Sequence, residues 1–170
     1  MAAEMTHGGA SSSSSRWKYD VFLSFCGQDT RTNYTDFLFN WLVRDGIHTF
    51  RDNEELNRGG DISSELMEAI QASRIAIIVY SQNYASSTWC LGELDKIMEC
   101  KNDGWIETVI PVFYKVDPSD VRHQRNTYAK AFKTHEKRFK KKVGKVKAWR
   151  AALTDAANLA GWDQTNVADG

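Results

Sequence analysis

The sequence has little proline, little cysteine and no net charge, and each shortage excludes a class of protein. Its 170 residues include two prolines and three cysteines. No cysteine pair has C-x-x-C spacing and no H-E-x-x-H motif occurs, so a zinc site is not expected. Lys and Arg together number 22, as do Asp and Glu, so the overall charge gives no general attraction to nucleic acid or membranes.

Long hydrophobic runs are also missing. No apolar stretch approaches the ~18 residues of a membrane-spanning helix, and the N-terminus has neither an apolar signal core nor a Met-Gly start. Cys26 and Cys90 lie in patterns that predict burial, which suits free thiols in a reducing compartment. We therefore expect an intracellular protein, cytoplasmic or nuclear, with no membrane contact.

Composition divides the chain into a leader, one domain and a tail. Residues 1–16 are polar and include five consecutive serines, so they cannot bury enough apolar surface to fold and are predicted to be disordered. Residues 17–163 are long enough for one domain with a hydrophobic core. Residues 164–170 are predicted to be a flexible tail.

Short apolar runs alternate with stretches of helical periodicity along this domain. Strands are predicted at residues 19–25, 47–50, 75–80 and 107–114. Trp162 either carries a short fifth strand or packs back on the domain. Pro111 donates no ladder hydrogen bond, so its strand is predicted to lie at or near a sheet edge, or to be bulged.

The helical stretches follow the strands in regular alternation. Helices are predicted to begin at Asp29 or Thr30, at Asp61, at residues 86–88, after the turn at 116–120, and at Val146. Alternation of this kind predicts an α/β fold of three layers, a parallel sheet of four to five strands with helices on both faces.

One acidic residue, Glu93, falls where ligands bind in open parallel sheets. It follows the predicted third strand and lies at the border of a helix's apolar face, between Trp89 and Ile97. A half-sheltered carboxylate at the carboxyl end of a strand is more reactive than one in water. The alternative is that Glu93 is an early-helix glutamate favoured by the helix dipole.

The charges balance but are segregated along the chain. Residues 130–150 hold ten Lys or Arg and one acid, whereas residues 52–68 hold six acids and one base. These regions can attract copies of the protein, or they can be two separately solvated helix faces. Nucleic-acid binding through residues 137–147 is disfavoured, because Phe139 is the one aromatic residue interleaved with the lysines.

Five motifs occur in order between Trp17 and Trp162. They are residues 19–25 with 27 and 29–31; residues 50–52, 55–56, 58–59 and 62; residues 81, 83–85, 87, 89–91 and 93–94; residues 116–122 with 124; and residues 131–132, 135–136 and 161–162. With these motifs the sequence resembles the Toll/interleukin receptor homology (TIR) domains of plant intracellular immune receptors, in which nucleotide-binding and leucine-rich-repeat regions usually follow. Ordered motifs of this extent rarely arise by chance.

The resemblance implies a flavodoxin-like fold and cleavage of NAD+. In the family, the glutamate of the Trp-Cys-Leu-x-Glu-Leu motif is catalytic, and the matching residue is Glu93. Gly59 and Gly60 would let the second loop bend over the site or dock on a neighbouring copy, and Trp89 would stack on a ring or pack in the core. The first loop would hold the dinucleotide with Cys26, Gly27, Gln28, Asp29, Thr30 and Arg31.

The family's function therefore becomes the leading hypothesis for this chain. It is an NAD+ nucleosidase signalling domain of plant innate immunity, active when self-associated, with NAD+ as substrate and no metal or further cofactor. Its expected partners are copies of itself and other TIR domains. The alternative is a non-catalytic TIR module that only self-associates.

Two departures from the family pattern bear on these alternatives. Cys26 stands where the family usually has arginine, and Gln28 stands where an acid or lysine is common. Asp36 and Phe37 occupy the positions of a Ser-His pair through which some members self-associate. The first departure favours weaker substrate binding. The second argues against that helix as the surface through which the domain self-associates.

Overall fold

Residues 15–52 and 61–159, with the backbone of 162–163, are described by the computed structural model. The strands are β1 (Tyr19–Phe25), β2 (Thr49–Arg51), β3 (Ser73–Tyr80), β4 (Thr108–Phe113) and β5 (Trp162–Asp163). The helices are α1 (Gly27–Thr30), α2 (Tyr34–Arg44), α3 (Ser64–Gln71), α4 (Thr88–Asn102), α5 (Pro118–Arg122), α6 (Thr127–Arg138) and α7 (Val143–Ala157). Strand and helix alternate, as the apolar pattern predicts.

The strands form one parallel sheet in the order β2-β1-β3-β4-β5. This is the flavodoxin-like order, and the predicted α/β fold of four to five parallel strands is confirmed. Because all strands run the same way, their carboxyl ends share one edge of the sheet. The connections after β1, β2 and β3 therefore meet at that edge.

Side chains of β1 and β3 alternate between two cores, one on each face of the sheet. Phe22 and Ile78 belong to a large core that includes buried residues of α3, α4, α5, α6 and α7, and we call this side the major face. Leu23 and Val79 belong to a smaller core with Leu42 of α2, and we call this side the minor face. Helices on both faces, as predicted, follow from this alternation.

The start of α2 was predicted wrongly. Asp29 and Thr30 do not cap it, because they form the separate short helix α1. Asn33 caps α2 instead, and its side chain accepts a hydrogen bond from Tyr34 N at 2.5 Å. Asp, Thr and Asn are all good caps, so the sequence does not distinguish among them.

The starts of the next two long helices show the same ambiguity. Ser63, not Asp61, caps α3 by accepting from Leu66 N at 3.2 Å. Ser87, one of the three predicted candidates, caps α4 by accepting from Cys90 N at 3.1 Å. The cap at Ser87 places Glu93 in the second turn of α4.

Pro111 lies in β4, the strand next to the β5 edge, as its missing N–H predicts. It is in register with Ile78 of β3, whereas β5 pairs with Val112 and Phe113, beyond the proline. Trp162 begins the short fifth strand. Most of the predicted leader, Gly59, Gly60 and the predicted tail lie outside the described residues.

The helices within the described ranges are all too short or too polar to cross a membrane.

Candidate functional site

Three connections leave the carboxyl edge of the sheet next to one another. They follow β1 at residues 26–33, β2 from Asp52 onwards, and β3 at residues 81–87. Because β1 lies between β2 and β3, the first connection is flanked by the other two. Apart from Gly59 and Gly60, the residues predicted for the site lie in the first connection or at the start of α4.

Glu93 is only 2% exposed, so it is buried more deeply than the half-sheltered position that its helical spacing predicts. Burial raises the pKa of Tyr84, and a hydrogen bond with the Cys26 thiol raises the pKa of Cys90. The negative charge of Glu93 adds a smaller contribution to both increases. Tyr84 comes from the short 3-10 turn before α4 and is itself buried.

The connection before α4 is fixed from two sides by buried hydroxyl groups. Tyr128 of α6 donates to Ser81 O at 2.8 Å. The Tyr84 hydroxyl lies 3.2 Å from Cys90 O and 2.8 Å from the Ser24 hydroxyl of β1. The turn that precedes Glu93 is therefore tied to both the sheet and α6.

His135 of α6 holds the same connection at a third point. Its Nε2 lies 2.7 Å from Ala85 O, and a carbonyl only accepts, so Nε2 carries the proton. The ring packs at 5.4 Å from the ring of Trp149. Burial lowers the pKa of His135, and Arg138 and Arg150 lower it further, against the opposing effect of the Ala85 bond. A neutral imidazole fits this site.

Asp29 joins the first connection to the third. Its Oδ2 accepts from Ser81 Oγ at 2.5 Å and from Asn83 N at 2.7 Å, and its Oδ1 accepts from Asn83 Nδ2 at 2.8 Å. Both oxygens of this predicted NAD+-binding residue thus hold two loops together. We expect Asp29 to influence a ligand mainly through the placement of those loops.

Arg31 and Trp89 both meet Asp52, the first residue after β2. Trp89 Nε1 donates to Asp52 Oδ2 at 2.6 Å, and Arg31 Nη1 donates to Asp52 O at 3.2 Å. The Arg31 guanidinium also lies 5.0 Å from the centre of the Phe25 ring. Trp89 is 7% exposed and belongs to the major-face core, so the core-packing alternative describes its position.

The remaining residues of the first connection differ in exposure. Cys26 is buried and its thiol hydrogen-bonds to that of Cys90, whereas Gly27 is half-buried and Gln28 is exposed. Thr30 is buried, and its hydroxyl lies 2.6 Å from that of Thr35. The structure thus brings Cys26 and Arg31 close to the elements around Glu93 but points Gln28 towards solvent.

Sequence reasoning missed the residues that hold this arrangement. Asp52, Tyr84 and His135 were each part of a motif but were given no role, and Tyr128 belongs to none of the five motifs. For the first three, the available signal was their place within those motifs, because polar residues next to apolar runs are candidates for buried hydrogen bonds. Their partners are distant in sequence, so no spacing identifies them.

The strand order and the carboxylate at the carboxyl edge define a flavodoxin-like α/β domain with a candidate ligand site. The TIR domain family matches residues 18–170, and the chain belongs to that family. The resemblance inferred from the five motifs is confirmed.

The most informative relatives are plant resistance proteins. The chain is 55% identical over 152 residues to TMV resistance protein N of Nicotiana glutinosa, covering 89% of this chain and 13% of that protein. It is 54% identical over 144 residues to disease resistance protein RPV1 of Vitis rotundifolia, covering 85% of this chain and 10% of that protein. The chain therefore spans a small fraction of the length of these relatives.

One solved structure provides a direct comparison. The TIR domains of the activated Roq1 resistosome, which directly recognises the pathogen effector XopQ, superpose with a TM-score of 0.81. They are 54% identical in sequence, and the match covers 89% of this chain and 91% of that one.

Proposed function

We propose that this TIR domain cleaves the glycosidic bond of NAD+ and releases nicotinamide, leaving ADP-ribose or a cyclised product. The observation that supports the proposal most directly is the position of Glu93. Its carboxylate lies in the second turn of α4, 2% exposed, at the sheet edge where open α/β folds bind ligands. The plant relatives suggest that the product serves innate immune signalling.

The chemistry requires a well-placed negative charge. Nicotinamide leaves with the bonding electron pair as a neutral base, so its departure needs no proton donor. The ribose left behind is oxocarbenium-like, and the Glu93 carboxylate can stabilise its positive charge and hold its hydroxyl groups. Water then adds to the anomeric carbon and loses a proton, or an atom of the nucleotide adds and closes a ring.

The first connection supplies the complementary end of the site. Gly27 permits close approach of the backbone, and Arg31 carries a positive charge suited to the pyrophosphate. Arg31 is half-buried and held by Asp52 O at 3.2 Å, so its charge is placed rather than freely mobile. Trp89 lies one helical turn before Glu93, and its Nε1 donates to Asp52 Oδ2 at 2.6 Å.

Nicotinamide release by the purified chain tests this proposal. We expect release to rise more steeply than protein concentration, because the active form is self-associated. Glu93→Gln preserves the shape of the side chain and removes its charge, and it should lower kcat by about 100-fold or more. Asp95→Asn is the matched control, since Asp95 is a half-buried acid on the same helix, and it should leave the rate unchanged.

A non-catalytic self-association module is the second candidate, favoured by Cys26 at a position where the family usually has arginine. It predicts that no nicotinamide is released at any protein concentration. The mass measured by light scattering should still increase with protein concentration. Nicotinamide release by the Glu93→Gln variant at the wild-type rate would also contradict the catalytic proposal. The buried thiols of Cys26, Cys90 and Cys100 support placing either function in the cytoplasm or nucleus.

A further inference from the structure

A buried hydrogen bond joins two connections of the candidate site across the end of β1. Trp89 Nε1 donates to Asp52 Oδ2 at 2.6 Å, and both residues are 7% exposed. Asp52 directly follows β2, and Trp89 is the second residue of α4, which follows β3. Since β1 lies between β2 and β3, the bond reaches over the carboxyl end of β1.

The first connection, after β1, meets Asp52 through the main chain of Asp52. Arg31 Nη1 donates to Asp52 O at 3.2 Å, so the side chain of Asp52 holds Trp89 while its backbone holds Arg31. The connections after β1, β2 and β3 therefore converge on Asp52. A hydrogen bond that a carboxylate accepts is shorter and stronger than one between neutral groups.

The Asp52–Trp89 bond bears on Glu93 because of helix geometry. Trp89 and Glu93 are four residues apart on α4, so they lie one turn apart on the same side of the helix. The first turn is also fixed by the Ser87 cap and by the Tyr84 contact with Cys90 O. Asp52 adds a side-chain bond that ties this turn to the connection after β2.

We infer that Asp52 is a positioning residue for the proposed cleavage of NAD+, acting through Trp89 to set the place of Glu93 relative to Arg31. The inference rests on the proposed function. Asp52 itself touches no reacting atom. Its side chain secures the end of the site where the glycosidic bond breaks, and its main chain secures the end where the pyrophosphate binds.

The test compares variants that remove either half of the bond. Asp52→Ala removes the acceptor and should lower kcat by about 10- to 100-fold, the effect expected when a catalytic group is misplaced by about 1 Å. KM should change little, because the main-chain oxygen that holds Arg31 remains. Asp52→Asn keeps an acceptor oxygen for Trp89 and should recover part of the lost kcat.

The donor half should behave in the same way. Trp89→Phe should lower kcat by a similar factor, and the Asp52→Ala/Trp89→Phe double variant should fall no further than the worse single variant, because both remove one shared bond. The indole N–H resonance that disappears in Trp89→Phe identifies Trp89 by NMR. In Asp52→Ala this resonance should move upfield and exchange faster with water.

Ser73→Ala is the matched structural control. Ser73 is buried at the opposite edge of the sheet, and its hydroxyl donates to Ala69 O at 2.7 Å. Removing this bond should lower the melting temperature about as much as Asp52→Ala does, while leaving kcat unchanged.

The outcomes separate this inference from the function on which it rests. If the wild-type chain cleaves NAD+ and Asp52→Ala keeps its kcat, the positioning role is wrong while the proposed function stands. The same conclusion follows if the two single effects simply add, or if Ser73→Ala loses as much activity. If the wild-type chain releases no nicotinamide while the Trp89 resonance shows its bond intact, both fail.

Discussion

The two faces of the sheet are covered very differently. On the major face, buried residues of α3, α4, α6 and α7 form one continuous core that includes Leu153 and Trp149. On the minor face, α2 is the one described helix that contributes to the core, through Leu42. The outer side of α2 leaves Phe37 and Trp41 exposed at 69% and 55%.

The candidate site is built from the more heavily covered face. Glu93 lies on α4, and the connection before it is held by Tyr128 and His135 of α6. A site that must hold a charged group to within a fraction of an ångström benefits from neighbours that cannot relax. The position of Glu93 therefore depends on packing contacts that lie away from Glu93 itself.

The largest expected effect is a difference between matched core substitutions on the two faces. Leu153→Ala should lower the free energy of unfolding by about 4 kcal/mol, because Leu153 is fully buried between packed elements that cannot close the cavity. Leu42→Ala should cost about 2 kcal/mol, because Leu42 is 6% exposed and belongs to the one described helix on its face, which has room to shift into the space left. Denaturant unfolding of both variants measures the difference.

Equal losses would show that the minor-face core is packed as rigidly as the major one. A kcat measurement on the same proteins sharpens the comparison. Leu153→Ala should also reduce nicotinamide release under conditions where it remains folded, because α7 packs against α4, whereas Leu42→Ala should not.

Most of the fold could be predicted from the sequence because strands buried on both faces appear as continuous apolar runs. β1 has its predicted bounds, 19–25, and β3 extends its predicted run back to Ser73. Those two extra residues, Ser73 and Arg74, are polar, and a hydrophobic pattern does not register them. Helix starts were less predictable, since several neighbouring residues can serve as caps.

The candidate site could be predicted only as far as contacts within one element. Helical spacing identified Trp89 as a neighbour of Glu93 because both lie on α4. The bond from Trp89 to Asp52 spans 37 residues, and the bond from Tyr128 to Ser81 spans 47. Such contacts depend on how strands are ordered in the sheet, and no periodicity in the sequence encodes them.

An intermediate effect is expected from pH, through the histidine on the major face. Burial lowers the pKa of His135, so the unfolded chain takes up this proton at a higher pH than the folded chain does. The stabilisation is therefore present above about pH 6.5, the value for an unperturbed histidine, and is lost as the pH falls towards the folded pKa. Unfolding curves at pH 7.5 and 5.5 should show this loss.

The His135→Gln variant should show a smaller fall in stability between those two pH values, because glutamine does not titrate. An identical pH dependence in wild type and His135→Gln would mean that other groups cause the loss.

The smallest effect is expected from surface charge on the same face. Lys145 Nζ of α7 lies 2.6 Å from Asp61 Oδ1, just before α3, and this bond lowers the pKa of Asp61. The Asp61 side chain is 79% exposed, so water and salt screen the pair. Lys145→Gln should change the free energy of unfolding by less than about 0.5 kcal/mol, and by less still in high salt.

The Lys145–Asp61 pair also bears on the segregated charges of the sequence. It joins a residue of the acidic region, 52–68, to a residue of the basic region, 130–150, within one chain. These two charges already pair with each other and contribute less to attraction between copies. Lys147→Gln, at an exposed position on the same helix, is the control and should match Lys145→Gln closely. If Lys145→Gln instead cost as much as Leu42→Ala, surface charge would rival the minor-face core, and packing alone would not explain the difference between the two faces.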